Sequence, residues 1–294
     1  MTTSSAASTD AKNHYVLTYH CPERIGLVHA LTGVLVQHQG NVEELKQFDD
    51  PRTGHFFFRA EFTLPGGEAE LDNLRGDLDK LAEETEAECS VRPKEQKKRV
   101  LLMVSKFGHC LEDLLHRERQ GELNAEIVAV VSNHPDFRQT VEWHGIPFFR
   151  IPVTKETKPE AEAQLLELVD RFEVDLVVLA RYMQVLSDNL SRELSGKAIN
   201  IHHSFLPSFK GAKPYHQAYD RGVKTVGATA HYVNHELDEG PIIAQQVQPV
   251  DHTYLPEDLV AVGRNSECKA LADAVKWHCD SRVFLNGGRT VVLT

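Results

Sequence analysis

Leu27, Ala30, Leu31, Val34 and Leu35 recur at the spacing of one helical face, and Gly40-Asn41 stops the run. An apolar strand candidate over residues 14–20 precedes this helix across the turn Pro22 to Gly26. Residues 42–48 and 55–64 read as two strands, separated by turn-forming residues 49–54, with Phe56, Phe58, Ala60 and Phe62 alternating onto one face of the second. A second helix over 68–82 and a strand over 86–91 complete the order βαββαβ. That order predicts a ferredoxin-like domain over 14–92, a four-stranded antiparallel sheet with two helices on one face.

The pattern then changes. Residues 93–98 form the most polar stretch between two apolar blocks and are read as a linker, with the charge run a solvated connection. From 99 to 294 short continuous apolar runs (100–104, 127–131, 148–151, 176–179) alternate with helical patterns. Strands apolar on both faces and separated by helices predict a mostly parallel, Rossmann-like α/β sheet covered on both sides. Ligands of such sheets bind beyond the carboxyl ends of the strands. Strand candidates at 198–201 and 223–233 flank a turn-rich stretch, followed by a helix over 257–278 and a hairpin around Asn286-Gly287-Gly288.

The 294 residues suit about two domains. With 41% hydrophobic and 26% charged residues, the chain is neither disordered nor fibrous by composition. A net charge of −11 argues against a nucleic-acid partner. The five cysteines are scattered without a Cys-x-x-Cys pair, which suits a reducing, cytoplasmic setting. The first dozen residues lack a basic start and an apolar core, so they are expected to be a disordered tail and not a secretory signal; no apolar run reaches a membrane span. The unusual count is 16 His, which admits either metal binding or acid–base work.

Two polar constellations carry candidate chemistry. In the first, residues 200–211, Asn200 and His202 stand at i and i+2 of a strand and share a face at the sheet's carboxyl edge. An amide donor beside an imidazole suits a carbonyl oxygen becoming an oxyanion. Pro207 and Gly211 are expected to turn the chain away, leaving the pair at a pocket rim. In the second, residues 231–241, an acidic loop follows a strand, and a carboxylate there either accepts a proton from water or pairs with His202, while an Asp in a loop also reads as an ordinary turn residue. His231 and His235 also raise zinc, but on a strand residues four apart are separated by about 13 Å, and the His-Glu-x-x-His pattern is absent, so no metal is expected. His38, His55 and His144 read as surface or core residues.

Asn200-Ile201-His202, the following Leu206 to Gly211, and Asp238 before Glu239-Gly240 together resemble the active-site signature of the 10-formyltetrahydrofolate formyltransferase superfamily. The resemblance runs from about Arg99 to the C-terminus and implies the formyltransferase fold, with Asn200, His202 and Asp238 catalytic. It also implies that Arg181, Tyr182, Met183, Gln184, Val185 and Leu186 bind the folate pterin through their backbone, with the loop Asn234, His235, Glu236 and Leu237 as the other wall. Transferases acting on the ribonucleotide carry a Gly-rich phosphate cradle after the first strand; here residues 104–115 carry bulky side chains instead, although Lys106 and His109 still offer an anion some attraction. His109-Cys110 with Asp113-Leu114-Leu115, the doubled His202-His203, and the segment Lys213 to Ala218 resemble the deformylase branch, which uses water as acceptor. That resemblance makes Lys106, His109, His203 and His216 pocket-shaping.

The deformylase branch also carries an N-terminal ACT domain, and residues 23–28 resemble the turn opening the first ACT helix. Arg24, Ile25, Gly26, Leu27 and Asn41 are then the candidate effector-binding residues, with glycine or methionine as effector; the domain either senses or only oligomerises. The implied reaction is hydrolysis of 10-formyltetrahydrofolate to formate and tetrahydrofolate, with no cofactor beyond that folate substrate, in a homo-oligomer, dimer or tetramer, that balances one-carbon pools and supplies formate for purine synthesis. The alternatives are formyl transfer to a small amine and a catalytically silent folate or amino-acid sensor.

Overall fold

The computed structural model describes residues 14–206 and 214–294. The chain divides into two compact units, one running to Gln96 and taking in Asp280–Asn286 and Val291–Thr294, the other Lys97–Cys279 with Gly287–Thr290.

The first unit contains β1 (His14–Pro22), α1 (Leu27–Gln37), β2 (Asn41–Asp50), β3 (His55–Thr63), α2 (Gly67–Thr85) and β4 (Glu88–Pro93). Its antiparallel sheet has the order β2-β3-β1-β4, the ferredoxin-like arrangement of an ACT-like domain. Alternation places Tyr15, Leu17 and Tyr19 of β1 and Phe56, Phe58 and Phe62 of β3 on one face. There they pack with Leu31 and Leu35 of α1 and Leu71, Leu74 and Leu78 of α2. α1 begins at Gly26, whose φ of 93° is open to glycine at little cost.

The second unit contains β5 (Lys98–Val104), α3 (His109–Arg119), β6 (Ala125–Ser132), α4 (Arg138–Trp143), β7 (Phe148–Arg150), α5 (Lys158–Arg171), β8 (Leu176–Leu179), α6 (Asp188–Glu193), β9 (Ala198–His202), α7 (Pro214–Asp220), β10 (Thr225–Tyr232), β11 (Ile242–Pro249) and α8 (Pro256–Cys279). The seven-stranded sheet has the order β11-β10-β9-β8-β5-β6-β7, parallel from β7 to β9 and antiparallel through β10 and β11. Strand order reverses between β5 and β8, so the segments leaving their carboxyl ends, 105–108 and 180–187, bound the crevice where such sheets bind ligands.

Three features depart from the sequence reading. The connection between β4 and β5 is only 94–97, and Lys94 pairs with Glu61, so part of the charge run is structural. The short helices α6 and α7 occupy stretches where no helix was expected; α6 is fixed by Ser187, whose side chain accepts from the Leu190 amide. The C-terminal strands β12 (Val283–Asn286) and β13 (Arg289–Val292) form the expected hairpin, but 280–286 and 291–294 belong to the first unit. The reason is the second face of the first sheet, which buries Arg59 and Phe57. Arg59 donates to the Asp280 carbonyl at 3.1 Å, Phe57 meets Phe284 edge-on at 5.7 Å, and Asn286 donates to Asp50 at 2.7 Å. The expected turn through Pro207 to Gly211 lies outside the described residues.

Candidate active site

β9 carries Asn200 and His202 on one face, as i and i+2 in a strand require. Its antiparallel partner β10 sets His231 opposite Asn200. The Asn200 amide Nδ2 donates to His231 Nε2 at 3.3 Å, and His231 Nδ1 donates to the Tyr232 carbonyl at 2.9 Å. These two bonds tie the Asn200 amide to the His231 ring and the ring to its own strand.

The loop after β10 returns Asp238 to this face. Its φ of 59° is left-handed, a conformation Asp tolerates better than most residues. Gly240 lets the loop close over β10: a Cβ there would stand 1.7 Å from the Tyr232 carbonyl oxygen. Asp238 Oδ2 consequently lies 3.2 Å from His202 Nδ1, and Oδ1 lies 3.8 Å from His231 Nε2. Burial alone would raise the Asp238 pKa, but hydrogen bonds and charge at His202 and His231 overcome it and hold the carboxyl well below the usual range. His202 is buried, and among the described residues its Nε2 has no hydrogen-bond partner.

The segment after β8 is fixed by backbone contacts. Ser105 N donates to the Arg181 carbonyl at 3.2 Å, Met183 N donates to Ser105 Oγ at 3.0 Å, and Ser105 Oγ donates to Asn133 at 2.7 Å. Tyr182, Gln184, Val185 and Leu186 line a small cleft together with apolar residues such as Met103 and Val131. Arg181 turns the other way, its Nε 3.4 Å from Glu267 Oε2, and Met183 is exposed. In the second loop Asn234 accepts from the Glu236 amide at 3.1 Å, while His235, Glu236 and Leu237 are exposed.

The residues expected to shape the pocket separate. His203 stacks obliquely on His202, ring centroids 5.1 Å apart; burial first, then the Arg181 charge, pushes its pKa down to about 4, so the ring is neutral. His109 donates to Glu267 at 2.7 Å. Lys106 and His216 are exposed. In the first unit, Arg24 donates to the Glu84 and Thr85 carbonyls at 3.0 and 3.4 Å, Leu27 lies in the core, and Ile25 and Asn41 are exposed.

Glu267 and His231 are functional candidates that the sequence reading did not name as site residues. The pairing of β9 with β10 is the signal for His231; Glu267 had none, being one acidic residue in a long helix. His109, Cys110 and Glu267 place potential metal-ligating atoms within 4.8 Å of one another. The carboxylate, however, already accepts from His109 and from Tyr215 and is paired with Arg181, a donor set better suited to a buried counter-ion than to a cation site.

Residues 98–275 match the family described as formyl transferase. A formyltetrahydrofolate deformylase from Corynebacterium sp. (strain P-1) is 63% identical over 95% of this chain and 98% of its own. The crystal structure of formyltetrahydrofolate deformylase from Burkholderia mallei superposes with a TM-score of 0.92 at 51% identity, over 96% of this chain and 100% of that one. A glycinamide ribonucleotide transformylase from Symbiobacterium toebii matches less of it, with a TM-score of 0.63 at 28% identity over 68% of this chain and 95% of its own. These deformylases span both units, and the chain belongs to the formyltetrahydrofolate deformylase family.

Proposed function

We propose that the protein hydrolyses 10-formyltetrahydrofolate to formate and tetrahydrofolate through Asn200, His202 and Asp238. The observation that carries the residue assignment is the 3.2 Å approach of Asp238 to His202, beside Asn200 at the carboxyl edge of the sheet. Water attacks the formyl carbon, a C–O bond forms, and the carbonyl π electrons move to oxygen. The Asn200 amide and His202 Nε2 hold that oxyanion, with Asp238 as counter-ion to the imidazolium. Asp238 accepts the water proton. A carboxylate with so low a pKa is a weak base, so transfer proceeds as the C–O bond forms and the attacking water becomes strongly acidic. The oxyanion re-forms its carbonyl as the C–N10 bond breaks, the proton on Asp238 passes to N10, and the remaining acid proton leaves to solvent, giving formate and tetrahydrofolate. No cofactor enters these steps.

The pterin occupies the pocket lined by Tyr182, Gln184, Val185 and Leu186, with the Asn234 to Leu237 loop as its other wall. Water is the acceptor because the segment after β5 carries bulky side chains in place of a Gly-rich phosphate cradle. The ACT-like unit binds glycine or methionine near Ile25, Gly26 and Asn41 and pairs in a dimer or tetramer. The enzyme is cytoplasmic and serves one-carbon and purine metabolism; among the described residues no helix is long and apolar enough to cross a membrane.

The test is incubation of the protein with 10-formyltetrahydrofolate and no added amine. Free formate is expected; strict dependence on an amine makes it a transferase, and binding without turnover makes it a sensor. Repeating the assay with glycine and methionine tests the effector.

A further inference from the structure

Glu267 is 1% exposed in α8, in the second unit. Burying a carboxylate is costly unless each oxygen is engaged, and here both are. Tyr215 Oη donates to Oε1 at 2.9 Å, His109 Nε2 donates to Oε2 at 2.7 Å, and Arg181 Nε lies 3.4 Å from Oε2. Burial would raise its pKa, but these partners lower it, so the group is an ionised anion at neutral pH. Gly263, one turn earlier on the same helix face, makes room for the contact: a Cβ there would stand 2.1 Å from Tyr215 Oη. Tyr215 in turn faces the active site, its ring 6.3 Å from that of His203, which lies 5.1 Å from His202.

We propose that Glu267 is a positioning residue of the hydrolytic site: through Tyr215 and Arg181 it fixes the wall against which His203 packs, and so holds the adjacent His202 at Asp238. This rests on the hydrolytic function proposed above. The groups facing His203 are His202 beside it, Arg181 beyond β8, Tyr215 of α7, Glu267 of α8 and Asp238 of the loop after β10. With Arg181 held in place and its own ring buried, His203 stays neutral, and the proton needed for the oxyanion is not shared along the histidine pair. Glu267 touches none of the reacting atoms in this scheme.

The full chain is tested as Glu267→Gln, Glu267→Asp and Tyr215→Phe, measuring kcat and KM for formate release, with a thermal melt of each. Glu267→Gln is expected to lower kcat about tenfold or more while KM stays within about twofold, since a small misplacement of catalytic groups suffices for such a loss. Glu267→Asp is expected to restore part of it, and Tyr215→Phe to lose a few-fold in kcat alone. Wild-type kcat in folded Glu267→Gln, or a kcat loss matched by an equal rise in KM, overturns the inference. If Glu267→Gln does not fold, Tyr215→Phe, which removes one hydroxyl, decides: unchanged kcat overturns it. A wild-type protein that releases no formate refutes the proposed function instead, so the two failures are distinguishable.

Discussion

His202 Nδ1 lies 3.2 Å from Asp238 Oδ2, joining a residue fixed by a strand ladder to one carried by a nine-residue return between β10 and β11. In the proposed mechanism the pair is the acid–base element of the site. Asp238→Asn keeps the shape but removes the charge, and kcat for formate release is expected to fall by about 10²–10⁴. Folate affinity, measured by equilibrium titration, should change little because the residues proposed to hold the pterin are others. A variant retaining near-wild-type turnover refutes the assignment.

Asn200 and His231 face each other across β9 and β10, and the imidazole accepts from the amide at 3.3 Å. Asn200→Ala removes an oxyanion donor and should cost about 10²–10³ in kcat. His231→Phe leaves the amide unoriented and should cost about tenfold. Because the second residue acts through the first, the double variant should be no slower than Asn200→Ala alone, as groups sharing one interaction are non-additive. Independent, multiplying losses in steady-state kinetics would show that His231 acts by another route.

Gly240 leaves no space for a methyl group: its Cβ would meet the Tyr232 carbonyl oxygen at 1.7 Å and His231 Nδ1 at 3.2 Å. Gly240→Ala must therefore push the loop outward, taking Asp238 with it. The expected result is a fall in kcat of about 10²-fold, by analogy with an ångström-scale displacement of a catalytic group, with a lowered melting temperature. Unchanged kcat in this variant shows that the loop relaxes without moving the carboxylate.

Much of this architecture is legible in the chain because it rests on local patterns. The period-2 run at Phe56, Phe58 and Phe62 and the helical period through Leu27, Leu31 and Leu35 each specify a buried face without reference to distant residues. Asn200 and His202 are legible for the same reason, since strand alternation alone sets them together. Glu267 is not: its partner His109 is 158 residues away, and nothing in the helix pattern marks one glutamate as buried. The allocation of the C-terminal strand is equally hidden, because the Arg59 contact to Asp280 spans 221 residues. α7 is obscured by the prolines and glycines preceding it, which read as turn.

Arg59 is almost fully buried in the first unit, donating to Glu44 at 2.8 Å and to Glu61 at 2.7 Å. Burial would raise the Glu61 pKa, yet Lys94 and Arg59 bring it down to about 2. A carboxylate with a depressed folded value contributes stability that is fully present above its unfolded value near 4.5 and is lost as pH falls toward about 2. Arg59→Met leaves Glu61 less compensated and should destabilise this unit by about 3 kcal/mol in urea unfolding. Its stability should also depend less steeply on pH between these two values. A loss below about 1 kcal/mol would mean that Lys94 and Arg282 suffice for Glu61.

His38 closes α1 and joins it to α2, with Nδ1 2.6 Å from Glu70 and Nε2 3.0 Å from Asp77. Only the imidazolium has a proton on each nitrogen for these two acceptors. Burial lowers the His38 pKa, but the two carboxylates more than compensate and the net shift is upward. For a group raised in the folded state, the stabilisation is complete below the unfolded value of about 6.5 and disappears as pH climbs through the folded one. His38→Gln keeps hydrogen-bonding capacity without the charge. The difference in melting temperature between wild type and His38→Gln should therefore be largest below about pH 6 and shrink as pH rises toward about 9. A difference constant across that range would show that His38 acts through packing and neutral hydrogen bonds, with no contribution from its charge.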